Sequence, residues 1–216
     1  MAKSKKSGTK SRSALRRERE KELRRKTILN IAESLFAKQG YHRTGMEEIA
    51  DMAEVSVGTV YFYFKNKEDI LINLIGDVGF QLRKLVGEEF KKADASLDGI
   101  QKAGVAFFGQ FCAKYPEKAA ILFREAVGQS QEVEEHRKSF ISKVITDLKN
   151  ALERVAEKQD IKYRNTFSAE VMAVCIMGIY EQMACHYLLW NDRSEDIVAL
   201  GEDAVCFTIG GVESMV

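Results

Sequence analysis

The chain's 216 residues are 45% hydrophobic and 30% charged with a formal net charge of +1, enough apolar material for the core of a globular protein. No stretch approaches about 18 uncharged apolar residues and no apolar leader opens the chain, which argues against a membrane span or export and for a cytoplasmic protein. A single proline, Pro116, leaves Gly, Asn, Asp and Ser to mark the loops, and this favours an all-α fold.

Charge is unevenly placed. Residues 1–26 hold 12 Lys/Arg and 3 Glu, a balance of +9, while the other 190 residues hold 21 basic and 29 acidic side chains, a balance of −8. A basic end on a mildly acidic body suggests that one end meets a polyanion. Residues 1–22 are expected to form a basic flexible arm, with Met1 to about Ser13 disordered. From roughly Arg16 the composition favours a helix. Ile28, Ile31, Ala32, Leu35 and Phe36 then follow the spacing of an amphipathic helix, which Gly40 ends.

Thr44-Gly45-Met46-Glu47 has the form of a capping box, with Thr44 as N-cap and Glu47 at N3. The short helix it opens carries Ile49, Ala50 and Ala53. Residues 54–56 turn the chain, Ser56 caps a second short helix, and Asn66 with Asp69 caps a longer one. Ala50, Val55 and Val60 take the inward positions of a helix-turn-helix. The run Ser56-Val57-Gly58-Thr59-Val60-Tyr61-Phe62-Tyr63-Phe64 is unusually rich in hydroxyls, which suit a major groove or a phosphate. Beyond it, helices are expected at about 67–87, 97–114, 117–127, 131–159, 167–190 and 194–209, about nine in all. The 167–190 stretch is apolar nearly all round, as a helix covered on several sides should be.

Gly40-Tyr41, Thr44, Ile49-Ala50, Val55-Ser56, Gly58-Thr59-Val60-Tyr61, Tyr63-Phe64 and Lys67-Glu68-Asp69-Ile70-Leu71, in their joint spacing, strongly resemble the N-terminal domain of TetR-type (tetracycline-repressor-like) transcriptional regulators. The resemblance implies a DNA-binding domain at 23–70 and an effector-binding and dimerisation domain at 71–216. It also implies a homodimer formed through residues 167–210, a double-stranded DNA operator and a small-molecule effector. Carried onto matching positions, Thr44 and the amides after it meet a phosphate, and Ser56 caps the recognition helix. Val57, Gly58, Thr59 and Phe62 face base edges, Tyr61 and Tyr63 touch the groove wall or backbone, and Lys67 pairs with a phosphate. For Tyr61 and Tyr63, simple packing against the first helix is the competing role. Three departures from the family pattern stand out. Glu54 replaces the usual turn glycine and should adopt a left-handed backbone. Val57 and Phe62 replace residues that are commonly polar, shifting readout toward thymine methyls. Residues 27–67 also carry a balance of −1, so the basic leader is expected to supply much of the electrostatic grip on DNA.

The effector end is marked by Phe107, Phe111, Met177 and Tyr180, with Arg124, Glu181 and His186 interrupting apolar stretches. A charge forced toward a core needs a partner. That partner is Glu125 or Glu181 if Arg124 is structural, or the anionic head of a ligand if it is functional. The resemblance to fatty-acid-metabolism regulators within the family favours an amphipathic acid or acyl thioester as effector. Cys112, Cys175, Cys185 and Cys206 stand far apart in apolar surroundings and are expected to be buried free thiols. No catalytic residue, metal site or cofactor is expected. His42, His136 and His186 lie in separate segments, and neither a Gly-rich phosphate loop nor a nucleophile elbow is present. A helical protein-binding adaptor with a non-functional DNA-binding head is the rival to a regulator released from a palindromic operator.

Overall fold

A computed structural model describes residues 11–215, and the expectations for residues 1–10 lie outside the described residues. Nine α-helices, and no strand, are found among the described residues. The first, α1 (Arg12–Gln39), begins where Ser11 Oγ accepts from the Ala14 amide, and it ends at Gly40, whose φ of 92° a side chain would resist. Its apolar face, Ile28, Leu29, Ala32 and Phe36, packs onto α2 (Met46–Met52) and α4 (Lys67–Lys92), and α3 (Val57–Tyr63) packs on α2. These four helices make the N-terminal head.

Two expectations need correction here. The arm expected to be flexible through residue 22 is helical from Arg12 onward. Ser11 caps it, and its Arg, Lys, Glu and Leu residues are good helix formers, with Arg16 Nε 2.7 Å from Glu20 Oε1 across one turn. The fourth helix does not stop near Gly87. It runs on to Lys92 because Leu82 and Phe90 are both buried, which outweighs the ~1 kcal/mol penalty of a mid-helix glycine. The reversal falls at Asp94 and Ala95, both with positive φ. An uninterrupted α4 also means that the boundary expected at 70/71 lies inside a helix shared by head and body.

The body comprises α5 (Leu97–Ala106), α6 (Pro116–Ala120), α7 (Gln131–Gln159), α8 (Ser168–Met183) and α9 (Ile197–Glu213). Three of these continue as wider π-helical turns: α5 into Phe107–Cys112, α6 into Ile121–Glu125 and α8 into Ala184–Trp190. At their meeting point Phe107, Phe108, Phe111, Phe123 and Tyr180 form a buried aromatic cluster. With its π extension, α8 is long and apolar enough to cross a membrane, yet its inner face is used by the protein core and its Glu181 pairs with Arg137. All four cysteines are free, but only Cys112 and Cys185 are buried. Cys175 and Cys206 sit on the outer faces of α8 and α9, against expectation. Burial raises the Cys112 thiol pKa and pushes that of Cys185 up to about 11, so both stay protonated and inert near neutral pH.

Gly201 in α9 lies flat against the Phe108 side chain, leaving no room for even a methyl group. Gly201→Ala is therefore expected to cost about 1–3 kcal/mol by overpacking. A thermal melt should show a fall of several degrees, and an unchanged midpoint would contradict this α5–α9 contact.

Candidate nucleic-acid interface and ligand cavity

The turn between α2 and α3 is built locally. Glu54 takes φ 53°, the left-handed backbone expected where glycine is usual, and the Val55 amide returns to the Ala50 carbonyl at 3.0 Å. Ser56 then starts α3, its Oγ accepting from the Thr59 amide at 3.1 Å and lying 2.8 Å from Thr59 Oγ1. Beneath α3, Ala50 and Val60 are fully buried and Val55 packs half-buried against them. Above it, Ser56 and Gly58 are exposed, Tyr61 is 51% and Phe62 68% exposed, while Val57, Thr59 and Tyr63 are half-buried at the margins. Tyr61 and Phe62 thus stand as adjacent exposed rings on this short helix. Lys21 of α1 places its Nζ 5.1 Å from the Phe62 ring centre, so basic charge borders this face.

Two residues expected at phosphates make bonds within the protein. Thr44 is only 2% exposed, and its hydroxyl donates to the Gly40 carbonyl at 3.0 Å while accepting from Gln39 Nε2 at 3.3 Å. The N-cap of α2 is Gly45, without a side-chain bond, so the capping box does not form. Lys67 turns inward. Its Nζ donates to the carbonyls of Tyr41 (2.7 Å), Thr44 (2.9 Å) and His42 (3.3 Å) and sits 4.4 Å from the Tyr41 ring centre. All three protons are used, and partial burial lowers its pKa below the ordinary lysine value. Without DNA it serves as a bracket for the 41–44 loop.

The same loop is gripped from the body. Glu125, buried at the end of α6's π turn, accepts from the Tyr41 amide at 2.7 Å and from Arg124 Nε at 2.6 Å. Arg124 Nη2 donates to the Ala37 carbonyl near the end of α1 at 2.6 Å. Arg124 thus has the Glu125 partner that was one of its structural alternatives. It does not line the cavity enclosed by the body. Glu181 pairs instead with Arg137 at 3.4 Å, and burial raises its pKa against that pull. His186 is exposed on the outer side of α8 beside Tyr187 and Trp190.

The body encloses a cavity of about 290 Å³, near the lower edge of the ~300–1,000 Å³ typical of small-molecule sites. Leu82, Val86 and Phe90 of α4, Ile100 and Phe107 at α5, Leu148 of α7, and Ile176, Met177 and Tyr180 of α8 line it. Phe107, Met177 and Tyr180 were expected there. Phe111, Arg124, Glu181 and His186 are outside it: Phe111 packs behind Phe107, their ring centres 6.2 Å apart. The Tyr180 hydroxyl is spent on Thr208 Oγ1 at 3.1 Å, so the inner wall presents ring faces. Charge is confined to the mouth between α4 and α7, where Arg83, Lys91 and Arg154 outnumber Asp147. Arg83 Nε donates to Asp147 Oδ2 at 2.6 Å, which raises the guanidinium pKa further. No local pattern marked these cations, because the mouth exists only once α4 lies beside α7.

An all-helical body behind a helix-turn-helix head defines a DNA-binding transcriptional regulator. Residues 28–74 match the family model of bacterial regulatory proteins, tetR family. The chain is 25% identical over 189 residues to the fatty acid metabolism regulator protein of Bacillus subtilis, covering 87% of this chain and 94% of that one. Among solved structures it resembles the fatty acid degradation regulator FadR of Bacillus halodurans (TM-score 0.77, 21% identity, covering 87% of this chain and 95% of that one). It also resembles FadR of Bacillus subtilis in complex with stearoyl-CoA (TM-score 0.75, 24% identity, covering 86% and 97%). The head, residues 28–74, is thus of the tetR type.

Glu125→Ala would strand the Tyr41 amide and loosen Arg124, and about 1–3 kcal/mol of stability should be lost. Lys67→Met should likewise destabilise the head and weaken DNA binding equally at all salt concentrations. A shallower salt dependence with unchanged stability would restore Lys67 to the phosphate backbone. Urea unfolding and salt-dependent duplex titration read both variants.

Proposed function

We propose that the protein is a cytoplasmic homodimeric repressor that reads a palindromic operator with α3 and leaves it when an amphipathic effector enters the body. The observation that carries the DNA half is the arrangement of α3, with Val60 locked beneath and Gly58, Tyr61 and Phe62 presented outward. In this reading Ser56, Val57, Gly58, Thr59, Tyr61, Phe62 and Tyr63 form the reading surface of the DNA-binding part at 23–70, and α4 runs on from it into the effector-binding part at 71–216. Phe62 offers an apolar edge to a thymine methyl, and Tyr61 offers a hydroxyl to the backbone. Phe62→Ala is expected to weaken binding by ~1–3 kcal/mol at one base position and relax specificity there. Duplexes selected from a random pool by the wild type and the variant provide the test; an identical consensus at equal affinity would remove Phe62 from the reading surface. Failure of the wild type to select any duplex would favour the protein-binding adaptor.

The dimer is supported by an apolar outer face that the monomer leaves uncovered. Phe167, Val171 and Val174 on the α8 side and Phe207 on α9 are all at least half exposed, and nothing lies near Gly178. A patch of this kind marks an interface, and a two-fold copy would bury it as a four-helix contact. Val174→Glu with Phe207→Glu should give a monomer by sizing and abolish binding to the full palindrome. A stable dimer in that double variant would place the interface elsewhere.

For the effector, the cavity favours a molecule with an apolar tail and an anionic head. The tail has a wall of aliphatic and aromatic side chains, and the head would meet Arg83, Lys91 and Arg154 at the mouth, not Arg124. An acyl acid or acyl thioester has this form, and the stearoyl-CoA complex of the Bacillus subtilis relative agrees with it. Saturated fatty acids and their CoA thioesters from eight to eighteen carbons should release the protein from its selected duplex. Arg83→Ala with Arg154→Ala should raise the concentration needed at least tenfold. Release by none of the series would overturn the ligand class and leave the DNA reading standing.

A further inference from the structure

The first four turns of α1 have no part in the core. The first buried residue of α1 is Ile28, and residues 12–27 run along and then past the head as a charged helix. At ~1.5 Å per residue this is about 24 Å of helix. It carries Arg12, Arg16, Arg17, Arg19, Lys21, Arg24, Arg25 and Lys26 against Glu18, Glu20 and Glu22. A helical segment without a buried face is marginal in water, and this one is held by its cap, its i,i+4 ion pairs and the contacts of Lys21 and Arg25.

Its direction is fixed by two contacts. Lys21 Nζ lies 5.1 Å from the Phe62 ring centre, and the Arg25 guanidinium lies 5.5 Å from that of Phe64. Arg25 also donates to Asn73 Oδ1 at 2.5 Å, which ties the base of the projection to α4. Residues four apart share a helix face, so Arg17 continues the line of Lys21 and Arg25 one turn further out, with Arg24 alongside. A basic stripe therefore leaves the head at the exposed ring of the recognition helix.

We propose that residues 12–27 form a rigid helical spar that lies along the phosphate backbone of duplex DNA beside the groove read by α3. The inference rests on the DNA-reading assignment above and deepens it. It names a second contact, to sequence flanking the read bases, made by charge and not by base recognition. Charge complementarity selects the occupant, and the position of Lys21 against Phe62 selects the flank over any distant polyanion. A spar differs from a flexible tail in needing helical continuity as well as charge.

The test uses the full chain and a duplex that it has selected from a random pool, prepared with no flank and with ten flanking base pairs on each side. Arg17→Gln, Lys21→Gln and Arg24→Gln are combined, leaving Arg25 on Asn73. The triple variant should lose the wild type's preference for the flanked duplex and bind it ~10–100-fold more weakly at low salt. Its log K against log salt line should be shallower by ~0.9 for each phosphate that is no longer neutralised. Leu23→Pro keeps every charge and alters an exposed position, and it should also lose most of the flank preference. Unchanged slope and flank preference in the triple variant overturn the proposal. Wild-type behaviour of Leu23→Pro overturns the rigid spar in favour of a tail. A triple variant that keeps its DNA slope but no longer binds phosphatidylglycerol vesicles assigns the helix to membranes and overturns the proposal too. Failure of the wild type to select any duplex removes the DNA reading itself, an outcome distinct from failure in the variants alone.

Discussion

The peptide groups of Tyr41 hold the molecule together as a device. The amide of Tyr41 donates to Glu125 of the body, and its carbonyl accepts from Lys67 at the start of α4. Arg124 adds a bond to the end of α1, and Lys118 Nζ lies 3.0 Å from Glu33 Oε2 across the same α1–α6 contact. These groups are partly withdrawn from water, and Glu125 almost fully so, which makes each bond worth more than at the surface and each unmade bond costlier. The helix-turn-helix cannot rotate on the body without breaking several of them together. Head orientation is thus a property of this joint and not of a hinge segment.

That joint has two routes to the cavity. At its N-terminus α4 carries Lys67, and near its C-terminus it carries Leu82, Val86 and Phe90 on the cavity wall. Its ~39 Å length, at ~1.5 Å per residue, makes it a lever with one end in each site. The second route runs from Phe107 through the aromatic cluster to Phe123 and on to Glu125, two residues further along the same π turn. A packed cluster of rings has few intermediate arrangements, so a ligand that displaces Phe107 must move its neighbours or be excluded. A coupling of ~1–3 kcal/mol would need only one of the joint's bonds to differ between the two states.

Local chemistry was legible in the sequence. Ser56 caps α3, Asn66 caps α4 through the Asp69 amide at 2.8 Å, and Glu54 takes the left-handed turn; each needs partners only a few residues away. The apolar spacing of Ile28, Ala32 and Phe36, and of Ala50 with Val60, gave the head its inward faces for the same reason. The intramolecular partners of Lys67 and Arg124 were not legible because they lie far away along the chain. The bonds of Lys67 reach back 23 to 26 residues, and that of Arg124 reaches back 87. A lysine beside a helix-turn-helix has the composition of a phosphate contact, and only the path of the chain shows that it also brackets a loop. His186 was misplaced because an apolar helix was read as buried all round, whereas α8 keeps an uncovered face in the monomer.

The π turns were invisible to periodicity, and they explain why the body departs most from a regular reading. Each adds a residue per turn where α5, α6 and α8 converge. The regular 3.6-residue repeat would carry side chains around each helix at a fixed rate. Wider turns change that rate locally, and here the result is that Phe107, Phe111 and Phe123 all face one interior. Cys185 Sγ, on the third π turn, donates to the Phe123 carbonyl at 3.5 Å, a contact between two of these irregular segments. Wide turns are rare and recur at functional sites. Three of them around one aromatic cluster, between a cavity and the joint that fixes the DNA-reading helix, set the least regular backbone of the body at the point through which the two sites must communicate.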